Sequence, residues 1–376
     1  MAGRDEGGRE AVSEGAAGAG EQNSHDGSFV WRVGVDAPFD EVTALVVTAM
    51  PCHCGVVTVI AEYHDELRPL MFSIAYRMLG SVAEAEDVVQ EALLRMTRAA
   101  ADGVEPDNLD AWATTVTTRL AIDTLRSARV RRESYVGTWL PEPLRTTAGD
   151  DPAHRVEVDD SVSTAMLVLM ETLTPHERAV FILREALGYD YADIAAVVEQ
   201  SEATCRQHFS RARKHLEAGR ARFRASAARR DELAAAFLAV VQGGRAEELE
   251  RLLADDVVFW ADGGGKAPAA THPLSGPVAV ARFVAGLVRR GGPLGFTLRP
   301  TVLNGEPGLL TLGPAGELVG ALTLTLDEDG RVVGIRNQIN PDKLHHLGEV
   351  GDLRALMRGD GAPDEPLPPV SRPSGR

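Results

Sequence analysis

The stretch Ser201-Glu202-Ala203-Thr204-Cys205-Arg206-Gln207-His208-Phe209-Ser210-Arg211-Ala212-Arg213-Lys214-His215 decides how this chain folds and what it touches. It reads as a basic helix. Immediately before it, Asp190-Tyr191-Ala192-Asp193-Ile194-Ala195-Ala196-Val197-Val198 reads as a shorter helix. Helix, short turn, then a helix studded with Arg is the signature of a helix-turn-helix. Its setting makes it informative. The 376-residue chain has a formal charge of −16, yet residues 206–230 hold nine Arg or Lys against one acid, Glu217, a net of +8. Residues 119–132 hold five Arg against Asp123, a net of +4, so the rest of the chain carries −28. Two basic patches on an acidic chain point to two contacts with one polyanion, and nucleic acid is the polyanion a helix-turn-helix meets.

The candidate contacts follow from side-chain chemistry. Arg206, Arg211, Arg213 and Lys214 can bridge guanine edges or neutralise phosphate, and His208 can do either more weakly. Trp112, Arg119 and Arg126 recur at seven-residue spacing, with Arg129, Arg131 and Arg132 beyond them. Such a row can track a strand, and Trp112 can stack on an unpaired base. Trp112 can equally be a core aromatic.

Caps and periodicity organise the remainder. Residues 59–80 place Leu67, Leu70, Met71, Ile74, Ala75 and Met78 at helical spacing, with Gly80 as a stop. Ser81-Val82-Ala83-Glu84 is a capping box that starts a second helix, running to about Ala100. Its outer face carries Glu84, Glu86, Asp87, Gln90 and Glu91, which alone is an ordinary solvated surface. Asn108 or Asp110 caps a third helix through about Val130. Ser134 to Ser161 reads as a polar linker containing Trp139-Leu140-Pro141-Glu142-Pro143, whose prolines hold it extended. Thr174-Pro175-His176-Glu177 is a second capping box, opening a helix that ends at Gly188.

The texture changes after Arg230. Helices near Asp231–Val241 and Ala246–Leu253 precede strand-like segments at Val257–Trp260, Gly295–Val302, Gly308–Leu312, Glu317–Leu326 and Arg331–Asn337. A helix falls near Val278–Val288, and Asp327-Glu328-Asp329-Gly330 is a hairpin turn. Helices followed by a run of strands describe a separate α+β domain.

Other function classes recede. Three Cys (52, 54 and 205) make no disulfide framework. Cys52-His53-Cys54 has no second ligand pair nearby, so no metal site is expected. No apolar run reaches ~18 residues, so no membrane span is expected and the chain reads as cytoplasmic. Asp262-Gly263-Gly264-Gly265-Lys266 lacks P-loop spacing. Asp262, His272, His345 and His346 form no recognisable catalytic set, and no cofactor is implied. Residues 1–58 read as a disordered extension or the product of an early start codon, and residues 359–376 as a disordered tail.

With these residues in place, the chain resembles an extracytoplasmic-function sigma factor of bacterial RNA polymerase. Ile74 to Ser81 and Ala85 to Ala92 resemble the start of that family's second region, and Ala111-Trp112 through Arg126 its promoter-melting part. Leu173 through Lys214 resembles the fourth region. Trp139 to Pro143, Asp262 to Lys266, and Asn340-Pro341-Asp342-Lys343-Leu344 resemble hallmarks of the subgroup carrying a C-terminal SnoaL-like domain. The resemblance implies a multidomain fold. Region 2 (59–133) would be a three- to four-helix bundle and region 4 (162–220) a helix-turn-helix. Residues 231–348 would form an α+β cone similar to nuclear-transport-factor-2-like proteins.

The partners implied are core RNA polymerase and promoter DNA. Asp87, Gln90 and Glu91 would dock on the polymerase clamp helices. The helix from Trp112 to Arg132 would open the minus-ten element, and the helix around Arg206 to Lys214 would read the minus-thirty-five element. Trp139, Leu140, Pro141, Asp262, Gly263, Gly264 and Lys266 would form a regulatory contact with the C-terminal domain, whose cone could take a small ligand. The competing readings are a ligand-responsive DNA-binding regulator without polymerase, and an enzyme in the C-terminal domain.

Overall fold

The computed structural model describes residues 63–146, 162–220 and 235–358, apart from 242 and 244. The readings placed on residues 1–58 and 359–376, on Cys52 to Cys54, and on most of the basic connector after Arg220 lie outside the described residues.

Among the described residues, region 2 has three helices: α1 (His64–Leu79), α2 (Val82–Ala101) and α3 (Leu109–Glu133). α1 ends because Gly80 takes a left-handed conformation and returns its N–H to Tyr76 O. A side chain there is disfavoured by φ, and a Cβ would also press on the Trp139 ring at 3.1 Å. Asn108 caps α3 through the Ala111 N–H. At α2 only half of the expected capping box forms. Ser81 accepts from the Glu84 N–H, but Glu84 turns away to Arg131 and Arg132. Its place is taken by Glu142, 60 residues on, which accepts from the N–H groups of Val82 (2.7 Å) and Ala83 (3.2 Å) and from Ser81 Oγ (2.6 Å). A carboxylate on free N–H groups at a helix N-terminus gains from both hydrogen bonding and the helix dipole.

Region 4 comprises α4 (Thr164–Met170), α5 (Pro175–Phe181), α6 (Tyr191–Val198) and α7 (Glu202–Arg220). The Thr174–Glu177 capping box is complete. The helix expected to run to Gly188 leaves α geometry at Ile182 and finishes as a π turn to Ala186. Asp190 caps α6, and Glu199 closes it in the left-handed conformation.

Regions 2 and 4 share one hydrophobic core, running from Leu67 and Met71 through Leu125 to Phe181, Ile194 and Leu216. The segment read as a polar linker is packed in its described part, with Leu140 to Leu144 buried. Leu140 and Leu144 give it apolar anchors, and its prolines leave fewer N–H groups to satisfy.

The C-terminal domain opens with a helical segment at 235–241 and α8 (Ala246–Glu250). A six-stranded sheet follows: β1 (Leu253–Asp262), β2 (Leu274–Ser275), β3 (Thr297–Leu303), β4 (Glu306–Leu312), β5 (Leu318–Leu326) and β6 (Val332–Gln338), in the order β2-β1-β6-β5-β4-β3. All pairings are antiparallel except β1 with β6. α9 (Pro277–Gly291) covers one face, where Phe237, Phe259, Val280, Val284, Leu324 and Ile335 form a second core. Period-two alternation sends their strand neighbours Asp262, Thr323, Thr325, Arg336 and Gln338 to the other face. A short helix, α10 (Leu353–Arg358), ends the described chain. Among the described residues no helix is long and apolar enough to cross a membrane.

Candidate nucleic-acid interface and the junction behind it

Asp262 ends β1 fully buried on the polar face of the sheet. It accepts hydrogen bonds from Tyr135 Oη (2.6 Å), Leu140 N (2.8 Å), Lys343 Nζ (2.8 Å), Gln338 Nε2 (3.2 Å) and Gly264 N (3.1 Å). Lys343 Nζ also donates to Leu140 O at 2.6 Å and lies over the rings of Trp139 and Tyr135. Arg132 of α3 stacks on the same Trp139 ring, 3.7 Å from its centroid. Burial pushes the Lys343 ammonium below its ordinary range, and the Asp262 charge opposes that. Burial, then the hydrogen bond to Asp262, pushes the Tyr135 phenol up, so Tyr135 keeps its proton as a donor.

Gly264 approaches this node at φ +56, and a Cβ there would collide with the Asn340 amide, which donates to Tyr135 Oη at 2.9 Å. Trp139, Leu140, Asp262 and Gly264 therefore meet in one junction, with Pro141 O 3.4 Å from Gln338 Nε2, while Gly263 faces Ala267 and Ala269 of its own loop. Lys266 stands at the junction's rim in an exposed ion pair with Asp342.

A second contact was not legible in the sequence. Asn304, in the β3–β4 turn with φ 55, accepts from Leu144 N (3.0 Å) and donates to Tyr76 Oη (2.6 Å) of α1 and Val162 O (3.0 Å) ahead of α4. Tyr76 in turn donates to Glu142 O at 2.7 Å. Glu306 accepts from Thr164 N at 2.8 Å, at the start of α4. One hairpin thus holds region 2, the linker and region 4 together. Polar Asn and Glu residues in a strand turn gave no sign of this.

The expected DNA-facing side chains divide. Arg119 of α3 donates to the carbonyls of Val197 and Ala196 (2.9 Å each) and pairs with Glu199 at 2.9 Å, so it caps the C-terminus of α6. Arg129 donates to Glu171 O at 2.9 Å. Arg126 pairs with Asp123 on its own helix. Trp112 is half-buried against the shared core. Glu171, unmarked in the sequence, joins Arg132 of α3 to the buried Arg178 of α5. Burial opposes its charge, but Arg178 and Arg132 hold its carboxyl below the usual carboxylate range.

On α7, Arg211, Arg213, Arg206 and Lys214 are exposed. His208 is instead half-buried and stacked on His176 of α5, with its Nδ1 in the interior. On α2, Asp87 and Gln90 are exposed, and Glu91 pairs with Arg95.

Comparison with known proteins fits these elements. Residues 64–131 match the family model for sigma-70 region 2, and residues 163–216 that for sigma-70 region 4. The chain is 39% identical over 292 residues to the ECF RNA polymerase sigma factor SigJ of Mycobacterium tuberculosis, covering 76% of this chain and 92% of that protein. It is 29% identical over 282 residues to the probable ECF RNA polymerase sigma factor SigI of the same species, covering 74% and 93%. The crystal structure of M. tuberculosis SigJ superposes with a TM-score of 0.61 at 34% identity, covering 76% of this chain and 98% of that one. The chain belongs to the family of extracytoplasmic-function RNA polymerase sigma factors. Its function is promoter-specific initiation of transcription, and its α+β C-terminal domain follows the sigma regions as the resemblance implies.

Proposed function

We propose that the free protein is a closed sigma factor, and that core RNA polymerase opens it on the way to the promoter. The observation that carries this is Arg119. It belongs to the α3 row suited to the minus-ten strand, yet its guanidinium is committed to the end of α6 and to Glu199. A side chain that caps a helix cannot simultaneously contact DNA.

In this reading the C-terminal domain is a clamp rather than an enzyme. The Asp262 node fixes the linker, and Asn304 with Glu306 fixes the junction of regions 2 and 4. Asp87, Gln90 and Glu91 are the surface for the clamp helices. Arg119 and Arg129, with Trp112, become available to the minus-ten element only after opening, whereas Arg126, whose ion pair lies within α3, is exposed in the closed form as well. Arg211 and Lys214 face DNA in either form. The protein acts where its polymerase does, in the cytoplasm.

The test is a distance measurement by energy transfer between labels on α2 and α7. Adding core polymerase should lengthen the distance. An unchanged distance in a complex that transcribes rules out the closed form as an inactive state.

A further inference from the structure

Helix α7 sorts its own side chains. At about 100° per residue, the stripe Cys205, Phe209, Ala212 and Leu216 defines the inner face. Phe209 stacks on Phe181 and meets Tyr191 edge-on. About a quarter-turn to one side, Arg206 and Arg213 are each held by a carboxylate one turn away. Arg206 pairs with Glu202 at 2.8 Å, and Arg213 with Glu217 at 2.7 Å. Arg206 also lies over the Tyr191 ring. On the opposite flank His208 packs on His176. Diametrically opposite the core stand Gln207 and Lys214, with Ala203, Ser210 and Arg211 beside them, all exposed.

We propose that Gln207, not Arg206 or His208, is the base-reading residue of this helix. It reads adenine, and Arg211 one turn on reads guanine. The inference rests on the promoter-binding reading above and names its specificity-determining residues. The Gln amide offers one donor and one acceptor in one plane, the complement of adenine N6 and N7, while a guanidinium complements guanine O6 and N7. Gln207 carries no charge, so at the apex of the helix it contributes through base edges rather than phosphate attraction. It lies in the N-terminal half of α7, the part of a recognition helix that enters the major groove. Ala203, one turn earlier, is small enough for close approach. Lys214, near the far end, is placed for phosphate. Four residues advance the helix by about 6 Å, so the adenine and the guanine fall about two base-pair steps apart.

The test is run-off transcription with core polymerase on templates randomised across the upstream element, followed by sequencing of the templates used. The wild-type chain should enrich adenine at one position and guanine about two steps away. Gln207→Glu should switch the adenine position to cytosine, because a carboxylate accepts from cytosine N4, while guanine enrichment persists as the internal control. Gln207→Ala should flatten the adenine preference by roughly five- to a hundredfold. Selective wild-type transcription with an unaltered adenine preference in both variants overturns the proposal. A wild-type chain that selects no template at all overturns the promoter reading beneath it.

Discussion

Replacing Asp262 by Asn keeps the shape of the junction and removes its charge. Leu140 N, Lys343 Nζ and Gln338 Nε2 all converge on Oδ2, and an amide cannot accept all of them in place of the carboxylate. Hydrogen bonds to a charged group contribute about 1.5–3 kcal/mol each, and removing one partner of a buried ion pair costs about 3–5 kcal/mol. These values overlap rather than add, so the expected loss is about 3–5 kcal/mol. The loss is local, because Leu140 and the side chains that bond Asp262 lie outside the hydrophobic cores. The assay is amide hydrogen exchange at Glu142, whose N–H donates to Gly80 O at 2.8 Å and makes no bond to Asp262. At 1.4 kcal/mol per factor of ten, exchange at Glu142 should accelerate by roughly a hundred- to a thousandfold or more. Acceleration below threefold would refute the claim that Asp262 holds the linker down.

Three further outcomes are expected. Glu171 has its carboxyl pKa lowered in the fold. Its contribution is therefore complete above the ordinary carboxylate value and lost as pH falls through the lower folded value. The α3–α5 contact should loosen on acidification below about pH 4.5. Glu171→Gln should loosen it at neutral pH and abolish that acid step, read by exchange in α3. Gly264→Ala should destabilise the junction by more than 1 kcal/mol, on the order of other changes at strained φ, because both its φ and the Asn340 amide oppose a Cβ; equal stability by denaturant titration contradicts this. The free chain should bind duplex DNA weakly and with steep salt dependence, since its basic charge meets phosphate while its body is acidic. A nanomolar, salt-insensitive complex contradicts that.

The sequence was most legible where the physics is local. The Thr174–Glu177 box, the Asn108 cap, one of two candidates, and the Gly80 stop each act within one turn, so they can be read from adjacent letters. Glu142 capping α2 from 60 residues away could not be seen, because any carboxylate can satisfy free N–H groups and nothing in the letters says which one arrives. The Asn304 and Glu306 contacts were hidden likewise. Arg119 carried a different ambiguity. A guanidinium suits a phosphate and a helix C-terminus equally, and only the packing of region 4 onto α3 decides between them. Gln207 is uncharged and so leaves no mark in a charge pattern, whereas Arg206 and Arg213 stand out in it although neighbouring acids pair with both.

Run-off transcription with core polymerase, comparing the wild-type chain with Asp262→Asn at equal concentration, tests the closed-sigma account most directly. The account expects a promoter-specific transcript from both, with the variant yielding more because its linker releases regions 2 and 4 more readily. No transcript from either chain, or less from the variant with its fold intact, would contradict it.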